Sequence, residues 1–320
     1  LPPYPYAIHL VDQFEDYIGY EYFWYLRREF RTRLESTYKH PQSASSRDRT
    51  WLCRLLVVLA LGETYNSTVA PSIEFRDDAP SQRSNRPLVS AQPPPGVAFF
   101  EQAMLLFKTP FEEATTDHVE VLNLMAFYSY SLGRRKSAYV HAGLAMRIAS
   151  SLMLHNPHVA KDFSPSDIEH SRRLWWMTYQ LDAMTGSEIG LNSTFDFEEI
   201  EAKLGLPTDD NLSAEDHDNF TISTIFTAHI RLCSARSGIL SVASAELSGA
   251  DDDQLEVMLR RPMHVIEEWR RQLHSTINFE FSNGIPATMI SKPECRSLAS
   301  LYLRFHQVTT GNSMDSLSQC

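Results

Sequence analysis

One stretch of the chain concentrates residue types able to do polar chemistry: Glu169, Arg172, Arg173, Leu174, Trp175, Trp176, Tyr179 and Asp182. At helical spacing Arg172, Trp175, Tyr179 and Asp182 share one face, while Arg173, Trp176 and Gln180 share the neighbouring one. Two adjacent tryptophans cannot face the same way, so such a helix must meet partners on two sides. The two guanidinium groups can stack on rings, or pair with Asp182, with Glu169, or with a carboxylate from another helix. Two uses fit this pattern. The stretch is either a central helix with an internal ion-pair network, or the wall of a pocket in which aromatic faces supply apolar area and Arg and Asp fix a polar small molecule. Spacing alone leaves both open.

Patterns for catalysis and metal binding are missing. There is no G-x-G-x-x-G, P-loop, G-x-S-x-G or H-E-x-x-H. The 12 histidines are scattered, and the closest pair, His155 and His158, is split by Asn156 and Pro157, which reads as a helix-end turn. The cysteines Cys53, Cys233, Cys295 and Cys320 form no C-x-x-C pair and no disulfide framework, which fits a reducing compartment. Cys53 and Cys233 lie within apolar helices and read as small core residues. No nucleophile, base and oxyanion donor come together, so no catalytic residue, no metal ligand and no cofactor is assigned to this chain.

The elements that would position the double-tryptophan stretch read almost everywhere at helical period. The spacing predicts helices over Pro5–Tyr17, from Phe23 through Leu34, and over Arg49–Tyr65, the last capped by Asp48 and, from Leu52 through Leu61, apolar all round. Further helices follow at Gly96–Phe107, Asp117–Ser131 and Arg134–Leu154, with Gly133 closing the second of these. Ala138, Ala142, Gly143, Ala145 and Ala149 let that hairpin close tightly. Ser164, Pro165 and Asp167 form an N-terminal capping box for a helix reaching Met184, on which Glu169 and Arg173 pair at i,i+4. Later helices are predicted at Phe195–Leu204, His217–Leu247, Asp251–His274 (kinked or interrupted at Pro262) and Pro293–Gln307. No stretch alternates at period two, so the fold class is all-α: one large array of helical hairpins over residues 1–307. Val69–Pro95, with six prolines, reads as a long disordered loop, and 308–320 as an unstructured polar tail.

Bulk properties limit what such a body can touch. The 320 residues carry a net charge of −11, whereas a duplex-binding domain needs a basic face to displace counterions from phosphates. Between Asp196 and Asp218 nine acidic residues face one Lys, a solvated loop or an interaction patch. No apolar run reaches about 18 residues, and no signal peptide is visible. The sequons at Asn66, Asn192, Asn211 and Asn219 therefore read as chance. The chain starts at Leu1 without an initiator Met, which suggests a fragment or a processed chain.

Taken together, Arg147-Ile148-Ala149-Ser150-Ser151-Leu152-Met153-Leu154-His155 and Glu169 through Asp182 resemble the middle homology region of fungal binuclear zinc-cluster transcription factors. That family shows R-x-A-x-x-L-G-L-H, a spacer, and E-x-x-R-R-x-L-W-W-x-x-Y-x-x-D. The likeness reaches Leu1–Phe30, Gly96–Phe107, Glu120–Tyr139, Glu267–Leu273 and Leu298–Gln307, though only the R-R-x-L-W-W-x-x-Y-x-x-D run is specific. The chain departs from the pattern at Met153, where the family has Gly and a left-handed backbone is thus disfavoured. It departs again at Ala183, in place of Arg, and at Leu191-Asn192, in place of Arg-Pro.

The resemblance implies a nuclear regulator of transcription whose DNA contact is made by a six-cysteine zinc cluster upstream of Leu1, zinc being confined to that cluster. Its partners would be DNA through that cluster, a small-molecule effector, co-regulator proteins or a second copy of the chain, with no membrane involved. Two rival readings compete: a free-standing helical ligand sensor or scaffold that never touches DNA, and an α-helical enzyme, which would need a cleft with converging titratable groups.

Overall fold

The computed structural model describes residues 1–66, 93–109, 112–156, 163–191, 193–210, 212–220, 222–247, 249–273 and 293–310. Most of the expected Pro-rich loop, His158, Asn192, Asn211 and residues 311–320 lie outside them. The described residues form α1 (Tyr4–Tyr17), α2 (Arg27–Lys39), α3 (Arg49–Thr64), α4 (Val97–Leu106), α5 (Thr116–Ser131) and α6 (Arg135–Ser151). There follow α7 (Pro165–Ser187), α8 (Phe197–Leu204), a single 3-10 turn at His217–Asn219, α9 (Ser223–Leu247), α10 (Asp252–Gln272) and α11 (Pro293–Thr310). No strand occurs among them, and the class is all-α.

Local chemistry explains the better-defined ends. The Asp48 carboxylate accepts from the Thr50 amide at 2.9 Å and starts α3. Ser164 and Asp167 exchange side-chain-to-backbone bonds at the head of α7, with Pro165 in the first turn, so orphan amides there are satisfied without a tertiary partner. Gly133, at φ 69°, ends α5 and turns the chain into α6. Ala138, Ala142, Ala145 and Ala149 are then fully buried, and α6 lies against both α5 and α7.

The helices pack in series. α3 meets α1, α4 and α5; α7 lies between the α5–α6 hairpin and α9; and α9 carries α10 and α11 on its outer side. A main core runs from α1 to the start of α9, with a smaller cluster of Ile225, Leu232, Ile266, Trp269 and Leu301 joining α9, α10 and α11. Gly62 matters here. A Cβ at that position would lie 2.2 Å from the Leu10 carbonyl oxygen, so only Gly lets α1 and α3 approach this closely.

Five expectations are corrected. The second helix begins at Arg27, because Tyr22 through Tyr25 leave helical geometry to bury four aromatic rings. The helix predicted from His217 is a short turn to Asn219, and α9 starts only at Ser223. Pro262 does not interrupt α10. It packs against Gly238 of α9, where an added Cβ would meet the proline ring at 2.9 Å. The stretch from Leu52 to Leu61 is buried from Cys53 onward but not apolar all round, since it includes the buried Arg54. Met153 does adopt a left-handed backbone, φ 57°. The amides of Met153 and Leu154 bond back to Ser150 and Ala149 at the end of α6, and this terminal pattern imposes the conformation despite the side chain.

Candidate functional site

Helix α7 holds every residue singled out by the sequence, and its N-terminal half is closed by paired charges. Arg173 is fully buried. Its Nε donates to Glu169 Oε1 at 2.7 Å, and one Nη donates to Asp209 Oδ1 at 2.5 Å and to the Thr208 carbonyl at 3.2 Å. The guanidinium also lies 4.7 Å from the centre of the Phe220 ring. Arg172 donates to Glu169 Oε2 at 2.5 Å and to the Leu204 carbonyl at 3.2 Å. Glu169 further accepts from the Thr208 amide at 3.0 Å. Asp209 accepts from the Ser223 amide at 3.1 Å and hydroxyl at 2.6 Å, which holds the start of α9. Burial alone would raise the Asp209 carboxyl, but the Ser223 hydroxyl and then Arg173 keep it below the usual carboxylate range. The two arginines thus tie α7 to the segment between α8 and α9.

The tryptophans occupy the two sides that their adjacency demanded. Trp176, fully buried, donates from its indole to the Gly205 carbonyl at 2.8 Å and packs near Tyr179 and Phe197. Trp175, also fully buried, lies against His155 at 4.6 Å and Phe195 at 5.2 Å between ring centres. Tyr179 is 2% exposed. Asp182 makes no pair with Arg172; it accepts from the Thr194 amide at 3.2 Å, and burial leaves its carboxyl raised. The face shared by Arg172, Trp175, Tyr179 and Asp182 is therefore split: Arg172 joins the ion pairs, and the other three meet Phe195, Phe197 and Thr194.

A second buried charge cluster was missed from the sequence. Arg54 of α3 pairs with Glu120 of α5, whose other oxygen lies 2.9 Å from His170 Nε2 on α7. Burial opposes the Glu120 anion, yet Arg54 and His170 hold its carboxyl below the usual range. One charge inside each of two apolar runs was the available signal. Part of the acidic run is likewise engaged: Asp209 by Arg173 and Glu201 by Arg231 at 2.8 Å.

The C-terminal half of α7 borders something different, a cavity of about 480 Å³ between α5, α7, α9 and α11, lined among others by Gln180, His229, Cys233 and Arg304. Sequence reasoning placed Gln180 on a helix face and Cys233 in the core but passed over His229 and Arg304, and the four lie up to 124 positions apart (Arg304 − Gln180) and form no local pattern.

No group of three or more His, Cys, Asp or Glu able to hold a metal ion occurs among the described residues. Cys53 and Cys233 sit on different helices, and burial pushes both thiols up, to about 12 and about 11, whereas a ligating cysteine must be a thiolate. The zinc implied by the resemblance does not fit the residues described here. No helix among them is long and apolar enough to cross a membrane.

The chain has relatives among known proteins. It is 29% identical over 201 residues to the acetamidase regulatory protein of Aspergillus fumigatus, covering 56% of this chain and 25% of that protein. It is 23% identical over 235 residues to the thiamine repressible genes regulatory protein thi1 of Schizosaccharomyces pombe, covering 73% of this chain and 28% of that protein. It is 29% identical over 101 residues to the negative regulator of pleiotropic drug resistance STB5 of Candida glabrata, covering 31% and 10%. The chain thus spans about a quarter of the length of the first of these relatives. No solved structure matches it. These relatives are regulators of genes, not enzymes. The model of the fungal specific transcription factor domain matches residues 16–281, and the chain belongs to that family.

Proposed function

We propose that this chain is the regulatory domain of a nuclear transcription factor, with DNA contacted by a zinc cluster elsewhere in the full-length protein. The observation that carries the reading is the family match across residues 16–281, which has the Glu169–Asp182 helix inside it. A net charge of −11 supports placing the DNA contact outside this chain.

Two measurements test this. The full-length gene should encode six closely spaced cysteines ahead of Leu1, and a tagged full-length protein should collect in nuclei. The chain fused to a heterologous DNA-binding module should change expression of a reporter carrying that module's site, while the chain alone should leave duplex DNA unshifted in a gel at physiological salt. A full-length gene without that cluster, or a fusion that leaves the reporter unchanged, overturns the proposal in favour of a helical sensor or scaffold acting away from DNA.

A further inference from the structure

The cavity beside the C-terminal half of α7 has the size of a small-molecule site and carries unmet polar demand. Its volume, about 480 Å³, falls within the range of ligand pockets. Both side-chain amide atoms of Gln180 and both ring nitrogens of His229 lack a hydrogen-bond partner, although these residues are only 5% and 3% exposed. Buried polar groups are ordinarily satisfied, because leaving one bare costs about 1–3 kcal/mol. Two such residues on the wall of one cavity point to something that fills it.

The charge of the occupant follows from the arginines. Arg236 is held by Glu188 at 2.8 Å, and Arg296 donates to the Asp16 carbonyl at 2.9 Å. Arg304, which is partly buried, stands over the Tyr22 ring at 5.3 Å and is within ion-pair distance of no carboxylate among the described residues. The acid nearest in influence is Glu21, which accepts from the Ser300 hydroxyl at 3.1 Å. Burial pushes its carboxyl up to about 7, so near neutral pH it only half-balances the guanidinium. The rest of the wall is apolar, including Phe127, Met177, Leu181, Met184 and Leu232. Leu303 lines the cavity and is 64% exposed, so the space reaches solvent beside α11.

From these contacts we infer that the cavity between α5, α7, α9 and α11 binds a small hydrophobic carboxylate, its anion on Arg304, its hydrogen-bonding group on Gln180 and His229, and its apolar body among the α5, α7 and α9 side chains. A guanidinium recognises a carboxylate through paired, charge-assisted hydrogen bonds that an alcohol cannot reproduce. Binding stands whether or not the chain regulates transcription; only its consequence for transcription rests on the reading above.

The test is calorimetric titration of the 320-residue chain near neutral pH with phenylbutyrate and with its neutral counterpart phenylbutanol. The acid should bind at least tenfold more tightly than the alcohol. Arg304→Gln should bring the acid down to the level of the alcohol and leave the alcohol unchanged. Ala299→Phe, which fills the cavity from α11, should abolish binding of both. Equal affinity for acid and alcohol, no heat up to millimolar acid, a preference that survives Arg304→Gln, or binding that survives Ala299→Phe would each overturn the assignment of a carboxylate to Arg304 in this cavity. Should Arg304→Gln lose its helical circular dichroism, the wild-type comparison and Ala299→Phe still decide. If phenylbutyrate binds as expected but leaves the reporter fusion unaffected, the site stands and the regulatory reading is what fails.

Discussion

Arg173 and Arg304 are both withdrawn from bulk water, one beside each half of α7, and their surroundings differ. Arg173 has Glu169, Asp209, a carbonyl and an aromatic ring around it. Arg304 has a ring and a half-neutral acid. In the N-terminal half of the helix, the charges are met by the chain itself, through contacts that join α7 to α3, α5 and the start of α9, although the Trp175 indole N–H has no partner. In the C-terminal half it is left open on a cavity wall. The difference teaches that a buried guanidinium is a fastening where its partners are in the sequence, and a receptor where they are not.

The sharpest way to break this comparison is to hollow out the packed half. Trp176→Ala should cost about 3–5 kcal/mol, read from denaturant unfolding, because the indole is fully buried and loses a hydrogen bond to Gly205 as well. Met184→Ala, which faces existing empty space, should cost about 1 kcal/mol or less, well under the usual penalty for a packed core methionine. Equal losses at the two positions would show that the cavity is filled by protein in solution.

Removing charge probes the same contrast. Arg173→Leu leaves Asp209 half-buried without its counter-charge and the buried Glu169 with Arg172 alone, and should cost about 3 kcal/mol, as breaking a buried pair from one side does. A loss below about 1 kcal/mol would mean that solvent reaches both carboxylates, since exposed pairs are worth no more than that.

Next in size is a pH effect at the open half. Burial, opposed by Arg304, Ser300 and Tyr22, raises the Glu21 carboxyl from its usual value to about 7. A raised acid favours the folded state while it is protonated. Its contribution is therefore complete below its unfolded pKa and is lost as pH rises through about 7. Glu21→Gln should behave like wild type near pH 4 and be more stable by up to about 3 kcal/mol at pH 8. His229, held neutral by burial, is present in both proteins, so the difference isolates Glu21. A flat difference across this range would place Glu21 in contact with water.

How much of this was readable in advance divides along the same line. The all-α class, the α5–α6 hairpin, the Asp48 cap, the Ser164 capping box and the Glu169–Arg173 pair depend on neighbours within a few residues, and the structure has them. The double tryptophan announced contacts on two sides, which is what burial of both rings requires. What failed depended on distant partners in two cases, the aromatic packing that unwinds Tyr22–Tyr25 and the Gly238 notch that accepts Pro262, and in the third on local terminal bonding to Ser150 and Ala149 that forces Met153 left-handed whatever its side chain. Arg54 and Glu120 were legible in principle, as lone charges in apolar runs. Gln180, His229 and Arg304 were not, because an unmet hydrogen bond is a property of three-dimensional surroundings and leaves no periodic trace.

The smallest expected effect decides most about the two halves. Arg304→Leu should shift stability by no more than about 1 kcal/mol in either direction, against about 3 for Arg173→Leu. Desolvation of the Arg304 guanidinium is offset through space by Tyr22, Glu21, Cys233 and Tyr130, with no ion-paired carboxylate among the described residues, so removing it forfeits far less than removing Arg173 does. Its replacement also removes the field that steadies the Glu21 anion, and the pH at which Glu21 titrates should move up in the variant. Thermal melts of wild type and Arg304→Leu across neutral pH would show both effects at once. A loss as large as that of Arg173→Leu would mean that the chain itself already satisfies Arg304, and the cavity would then have no free cation to offer a ligand.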